Sequence, residues 1–198
     1  MNGDEIFKKG FGPLLPNSRE VAFDDLAALE AALATREYAA FFVEPIQGKG
    51  VNIPSDDYLP GAQALCRKYG TLFVADEIQT GMGRTGKFFA IEHYPGLEPD
   101  MVVLAKALSG GHVPVGAVLT RKAIFDKVFD RMDRAVVHGS TFSKTDLAMA
   151  AGIATLDVIK NERVVENSAA KGERLLASFR HMVDKYELVC DARGKGLM

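Results

Sequence analysis

Leu72-Phe73-Val74-Ala75-Asp76-Glu77-Ile78-Gln79-Thr80-Gly81 opens with four apolar residues and closes with two carboxylates and a glycine. An unbroken apolar run of this length reads as a strand buried on both faces. The carboxylates therefore fall at a strand end, followed by Gly81, Gly83 and Gly86, and loops of that kind carry functional groups. Similar apolar runs occupy residues 39–43, closed by Glu44-Pro45, and residues 101–104 and 117–119. Helical spacing separates them. Leu26, Leu29 and Leu33 share one face behind Asp24 or Asp25 as cap. Tyr58, Leu59, Ala62, Leu65, Cys66 and Tyr69 share another, with Ser55 expected as cap and Gly70 as the left-handed stop. Strand and helix alternate, which predicts an α/β fold with a parallel or mixed sheet covered by helices.

Outside that central region the patterns change. Residues before Val21 are rich in glycine and proline and read as an irregular lead-in rather than a domain. Residues 145–160 place Leu147, Ala151, Ala154 and Val158 on one helical face, with small residues that allow close backbone approach. A second helix is expected from Val164 to about residue 186, with Leu175, Phe179 and Met182 on its buried side.

The 198 residues are 47% hydrophobic and 25% charged, enough to bury a core. A net charge of −2 from interspersed acids and bases offers no basic face, which argues against a nucleic-acid partner. Cys66 and Cys190 stand far apart without the spacing of a staple or a metal site, so no metal and a reducing cytoplasm are expected. Residues 1–12 carry Asp4, Glu5, Lys8 and Lys9 and lack the apolar run of a signal peptide. No segment reaches bilayer-spanning length, so no membrane partner is expected.

Lys106 follows the third apolar run, in Leu104-Ala105-Lys106-Ala107-Leu108-Ser109. A lysine there either snorkels to solvent or is paired or used covalently. The set Asp76-Glu77-Ile78-Gln79, then Gly-x-Gly-Arg-Thr-Gly at 81–86, then Asp100 six residues before Lys106, resembles the class III pyridoxal-phosphate-dependent aminotransferases. Within that family it resembles the ornithine and acetylornithine aminotransferases. Val43-Glu44-Pro45-Ile46-Gln47-Gly48 and His138-Gly139-Ser140-Thr141-Phe142 extend the resemblance from about residue 10 to the end of the chain.

The resemblance implies the large domain of a fold type I transferase, with pyridoxal 5'-phosphate as cofactor and a small-molecule amine donor and oxo-acid acceptor as substrates. It implies that Lys106 forms a Schiff base with the cofactor aldehyde and then shuttles a proton as base and acid. By the same resemblance Asp76 pairs with the pyridine nitrogen and Gln79 meets the phenolic oxygen. Thr141 reaches the phosphate in a neighbouring subunit, which implies a homodimer with shared active sites. Glu44 either faces the substrate or is an ordinary strand-end carboxylate, Asp76 has a turn cap as its plain alternative, and His138 is read as structural.

The expected division is residues 1–160, part of the cofactor-binding large domain, and residues 161–198, a helix and the start of a small domain. The phosphate loop and stacking aromatic of the family find no match here, so a central fragment is expected. Ser143-Lys144-Thr145-Asp146 stands where many relatives have Gly-Gly-Asn-Pro; Thr145 can cap the next helix, but two glycines are lost. Other outcomes of the same scaffold, an aminomutase, a decarboxylase or a non-catalytic remnant, remain open at the level of sequence.

Overall fold

The computed structural model describes residues 5–198. The first four residues of the expected lead-in lie outside that range. Among the described residues six α-helices, α1 Glu5–Lys8, α2 Leu26–Leu33, α3 Tyr58–Tyr69, α4 Lys122–Val128, α5 Asp146–Asn161 and α6 Val164–Lys185, accompany four strands. These are β1 Ala40–Val43, β2 Leu72–Asp76, β3 Met101–Leu104 and β4 Ala117–Thr120, in the order β1-β2-β3-β4. The first three are parallel, Ala40 pairing with Leu72 and Val74 with Met101, and β4 returns antiparallel with Leu104 opposite Ala117.

The core lies between the sheet and the α2–α3 pair, where Leu29, Leu33, Leu59, Ala62, Cys66, Phe73, Ala75 and Val102 pack together. Position in the sheet explains where the apolar runs depart from full burial. Central β2 buries Phe73, Val74 and Ala75, whereas Phe42 on edge strand β1 is 64% exposed and Val118 on edge strand β4 is 59% exposed. An apolar run reports strand character without reporting whether a neighbour covers it.

Capping follows the sequence in part. Asp25 caps α2 by accepting the Ala28 N–H at 2.8 Å, and Gly70, at φ +78°, ends α3 with its N–H on the Cys66 carbonyl. Ser55 is not the cap of α3. Asp57 holds that position without a side-chain bond, because the Ser55 hydroxyl donates to Asp24 Oδ1 at 2.7 Å and ties the starts of α2 and α3 together. Thr145 sits at the cap of α5 but its side chain makes no capping bond.

The long helices choose other faces than the apolar pattern predicts. In α5 Ala148 and Ile159 are buried while Leu147 is 69% exposed, and in α6 Ser168 and Gly172 are buried while Leu175, Phe179 and Met182 stay exposed. Close backbone contact decides this. A Cβ on Gly172 would fall 2.0 Å from the Gly196 carbonyl oxygen, so α6 presses its smallest residues, not its largest, against the chain.

Asp100 clips the sheet at the far end from the loops after β1 to β3. Its N–H donates to Phe73 O at 2.9 Å, its Oδ2 accepts the Phe73 N–H at 2.8 Å, and Arg121 pairs with its Oδ1 at 3.5 Å.

Candidate active site

Because β1, β2 and β3 run the same way, the residues after Val43, Asp76 and Leu104 gather at one edge of the sheet. This is where α/β folds place ligands. Lys106 begins a short 3-10 turn, Lys106–Ser109, two residues beyond β3, with φ +47°. A lysine in left-handed backbone costs about 1–2 kcal/mol relative to the right-handed region, strain that marks a position held by its surroundings. The side chain is exposed, yet its amine donates to Gln79 Oε1 at 2.6 Å. A charged amine on a carbonyl oxygen makes a charge-assisted bond, so Lys106 does not simply snorkel.

Gln79 in turn donates through Nε2 to the Gly48 carbonyl at 3.5 Å, and the Gly48 N–H donates to Glu44 Oε2 at 2.7 Å. The loop carrying Gly48 is pinned on its other side: Gln47 N–H meets Asn52 O at 3.0 Å, and Arg193 donates to the carbonyls of Gly50 at 2.7 Å and Val51 at 2.9 Å. One hydrogen-bonded chain thus joins Glu44, Gly48, Gln79 and Lys106 across the ends of three strands.

Asp76, the last residue of β2, is half-buried opposite Val103. Its Oδ1 accepts the Ile78 N–H at 3.0 Å, so it does close a turn, the plain alternative for this residue, while Oδ2 is left to accept from a donor at the edge. Its neighbour Glu77 is 1% exposed and points the other way. Glu77 Oε1 accepts the Ile91 N–H at 2.8 Å and Oε2 accepts the Thr80 hydroxyl. Burial pushes this carboxyl above its ordinary range, against the opposing pull of Thr80 and of the Ile91 and Ala90 amides. Of the two strand-end carboxylates, one closes a half-buried turn at the end of β2 and the other, buried, fastens the loop.

Thr141 and His138 lie in an exposed loop whose internal bonds run between Ser140, Phe142 and Ser143. No hydrogen bond among the described residues joins Thr141 to Lys106, Asp76 or Gln79. The glycine-rich turn serves packing: Gly86 leaves space for the Ala169 backbone, and Arg84 O accepts from Leu197 N–H at 2.9 Å and from the Ser168 hydroxyl at 3.3 Å. Gly48 is the site residue that the sequence reading passed over. It stands in a quoted motif, but only the fold shows Gln79 lying across it.

The family model of class III aminotransferases matches residues 3–198. The chain belongs to the class III aminotransferases. It is 43% identical over 196 residues to the ornithine aminotransferase of Plasmodium falciparum, covering 98% of this chain and 46% of that relative. To the putrescine aminotransferase of Pectobacterium atrosepticum it is 42% identical over 199 residues, covering 97% of this chain and 42% of the relative. The ornithine aminotransferase of Toxoplasma gondii superposes with a TM-score of 0.91 at 38% identity, covering 98% of this chain and 45% of that one. A second structure of the Toxoplasma protein, with PLP partly occupying its active site, gives 0.85 at 40% identity, again covering 98% and 45%. This class III aminotransferase chain therefore spans a little under half the length of the relatives it matches, and its α/β sheet is that of the solved aminotransferases. Among its described residues no three His, Cys, Asp or Glu side chains group to hold a metal, and no helix is long and apolar enough to cross a membrane.

Proposed function

We propose that this chain carries part of the active site of a pyridoxal-phosphate-dependent aminotransferase, one that moves an amino group from an amine or amino-acid donor to an oxo acid. The observation that carries the reading is Lys106, strained at φ +47° beyond a parallel strand with its amine held at 2.6 Å by Gln79. The donor set fits the cofactor: an amine suits its aldehyde, a carboxylate its protonated ring nitrogen, and a side-chain amide its phenolic oxygen. Bound there, pyridoxal phosphate supplies a carbonyl for the amine and a ring that accepts electrons.

Lys106 attaches the cofactor and, once displaced, accepts and returns the substrate proton. Asp76 keeps the ring nitrogen protonated. Gln79 would donate to the phenolic oxygen, Glu44 would face the substrate, and Thr141 would serve the phosphate of a second subunit in a homodimer with shared sites. Relatives named for ornithine and putrescine support a donor with a terminal amine. Balanced charge and two free cysteines support a cytoplasmic protein without nucleic-acid or membrane partners. The break between α5 and α6 at Arg163, φ +53°, supports a division near residue 160 between the large domain and the start of a smaller one.

The test is to mix the chain with pyridoxal phosphate, reduce with borohydride and map the modified lysine by mass spectrometry. Selective modification of Lys106, abolished in Lys106→Ala, is expected. Labelling spread over the surface lysines with Lys106 no faster than the rest would defeat the reading.

A further inference from the structure

We propose that Gly48 is a positioning residue for Lys106, acting through Gln79, with Glu44 as the anchor of Gly48. The inference rests on the cofactor reading above, since it concerns the amine that reading assigns to the cofactor.

A Cβ built on Gly48 would lie 2.6 Å from Gln79 Oε1, 2.7 Å from Cδ and 2.9 Å from Nε2, closer than real side chains approach. All three atoms belong to one side-chain amide. Its two functional ends are both engaged, Nε2 on the Gly48 carbonyl and Oε1 on the Lys106 amine. Gly48 thus sets the amide's location by bare backbone on one side and a carbonyl acceptor on the other. The amide then fixes the amine, whose backbone is already strained.

Glu44 completes the arrangement. Its Oε2 accepts the Gly48 N–H at 2.7 Å, a charge-assisted bond that holds the Gly48 peptide in place. A carboxylate engaged in this way does more than end a strand, and any change at Glu44 reaches Lys106 through two intervening groups.

Adding a methyl at Gly48 meets the far end of an exposed, flexible side chain rather than packed backbone, so Gly48→Ala is expected to fold, with the Gln79 amide swung away. Released from the Gln79 oxygen, the Lys106 amine is free to leave its present position and meet a reagent from solvent. The measurement is the rate at which Lys106 is acetylated by a small neutral reagent without cofactor, read by mass spectrometry beside Lys68 and Lys122, which are held by Glu30 and Asp126. Gly48→Ala is expected to raise the Lys106 rate by roughly tenfold, about the worth of a hydrogen bond to a charged group. Lys68 and Lys122 are expected to keep their rates, and the Gln79 side-chain amide resonances to shift. Gln79→Ala is expected to give the same increase, and the double variant no more than either alone. Glu44→Ala, which adds no bulk, is expected to move Lys106 in the same direction and carries the test if Gly48→Ala unfolds.

An unchanged Lys106 rate in Gly48→Ala alongside an increased one in Gln79→Ala overturns the proposal, as do fully additive effects. Acetylation needs no cofactor, so the two readings separate. A chain whose Lys106 answers to Gly48 yet takes no pyridoxal phosphate fails only as an aminotransferase. One that takes the cofactor at Lys106 regardless of Gly48 fails only here.

Discussion

The Glu77 carboxylate accepts the Ile91 N–H at 2.8 Å from a position 1% exposed, which fastens the segment after the glycine-rich turn beneath the end of β2. Asp76 and Gln79 flank Glu77 in sequence, so their placement depends on this bond. Glu77→Ala leaves a buried N–H without an acceptor and is expected to lower stability by about 1–3 kcal/mol. Glu77→Gln keeps an oxygen for Ile91 and offers an amide N–H to the Thr80 hydroxyl, so it is expected to cost less than the alanine. Urea unfolding of both variants checks the order, and a glutamine as costly as the alanine would show that the charge itself is required.

The same residue sets a pH dependence. Burial raises the Glu77 carboxyl in the folded state, with the Thr80 hydroxyl and the Ile91 and Ala90 amides opposing the rise. A raised carboxyl favours the protonated folded form, so its contribution is complete below the unfolded value of 4.5 and is lost as pH climbs through the folded value. Glutamine stays neutral throughout. The stability of Glu77→Gln minus that of the wild type is therefore expected to grow as pH rises from below 4.5 and then to level off. Denaturation curves across the acid and neutral range measure it, and a difference independent of pH would count against a perturbed Glu77.

Two cysteines should part sharply in reactivity. Burial, aided by the Asp100 charge, pushes the Cys66 thiol up to about 12, while Cys190 is exposed. A thiol-specific reagent at mildly alkaline pH is expected to modify Cys190 at once and Cys66 only after denaturant. Peptide mapping tells them apart, and prompt modification of Cys66 in the folded chain would mean that the α3 face opens readily.

The sheet was legible because apolar runs, glycine stops and strand-end carboxylates are local signals, and motifs singled out Lys106, Asp76, Gln79 and Glu44 as candidates, which the parallel strands bring to one end of the sheet. What stayed hidden depends on contacts far apart in sequence. Nothing local tells that Ser55 would bond to Asp24 rather than cap α3, or that Glu77 would be buried on the Ile91 N–H while Asp76 stays half-buried on the Ile78 N–H. Nor does an apolar stripe tell that α6 would bury Ser168 and Gly172 in place of Leu175 and Phe179. Gly48 shows the same limit at the site, since a missing side chain gains meaning only when Gln79 is seen against it.

Paired glycines in the two long helices give a test in which the sign decides. In an unconstrained helix interior, replacing glycine by alanine stabilises by about 1 kcal/mol through backbone entropy. Gly152 in α5 is such a site, since an added Cβ would meet only the Leu108 carbonyl at 3.7 Å, an ordinary contact. Gly172 in α6 is not, because its Cβ would fall 2.0 Å from the Gly196 oxygen and 2.3 Å from the Gly196 carbonyl carbon, both backbone atoms. Gly196 has little room to retreat: a Cβ of its own would lie 2.4 Å from the Thr85 carbonyl carbon, and the next residue donates to Arg84 O. Gly152→Ala is expected to stabilise by up to about 1 kcal/mol, whereas Gly172→Ala is expected to destabilise by about 1–3 kcal/mol despite the same propensity gain. Equilibrium unfolding of the two variants measures both. If both rise together, the close approach of α6 to Gly196 is not what selects the buried face of that helix.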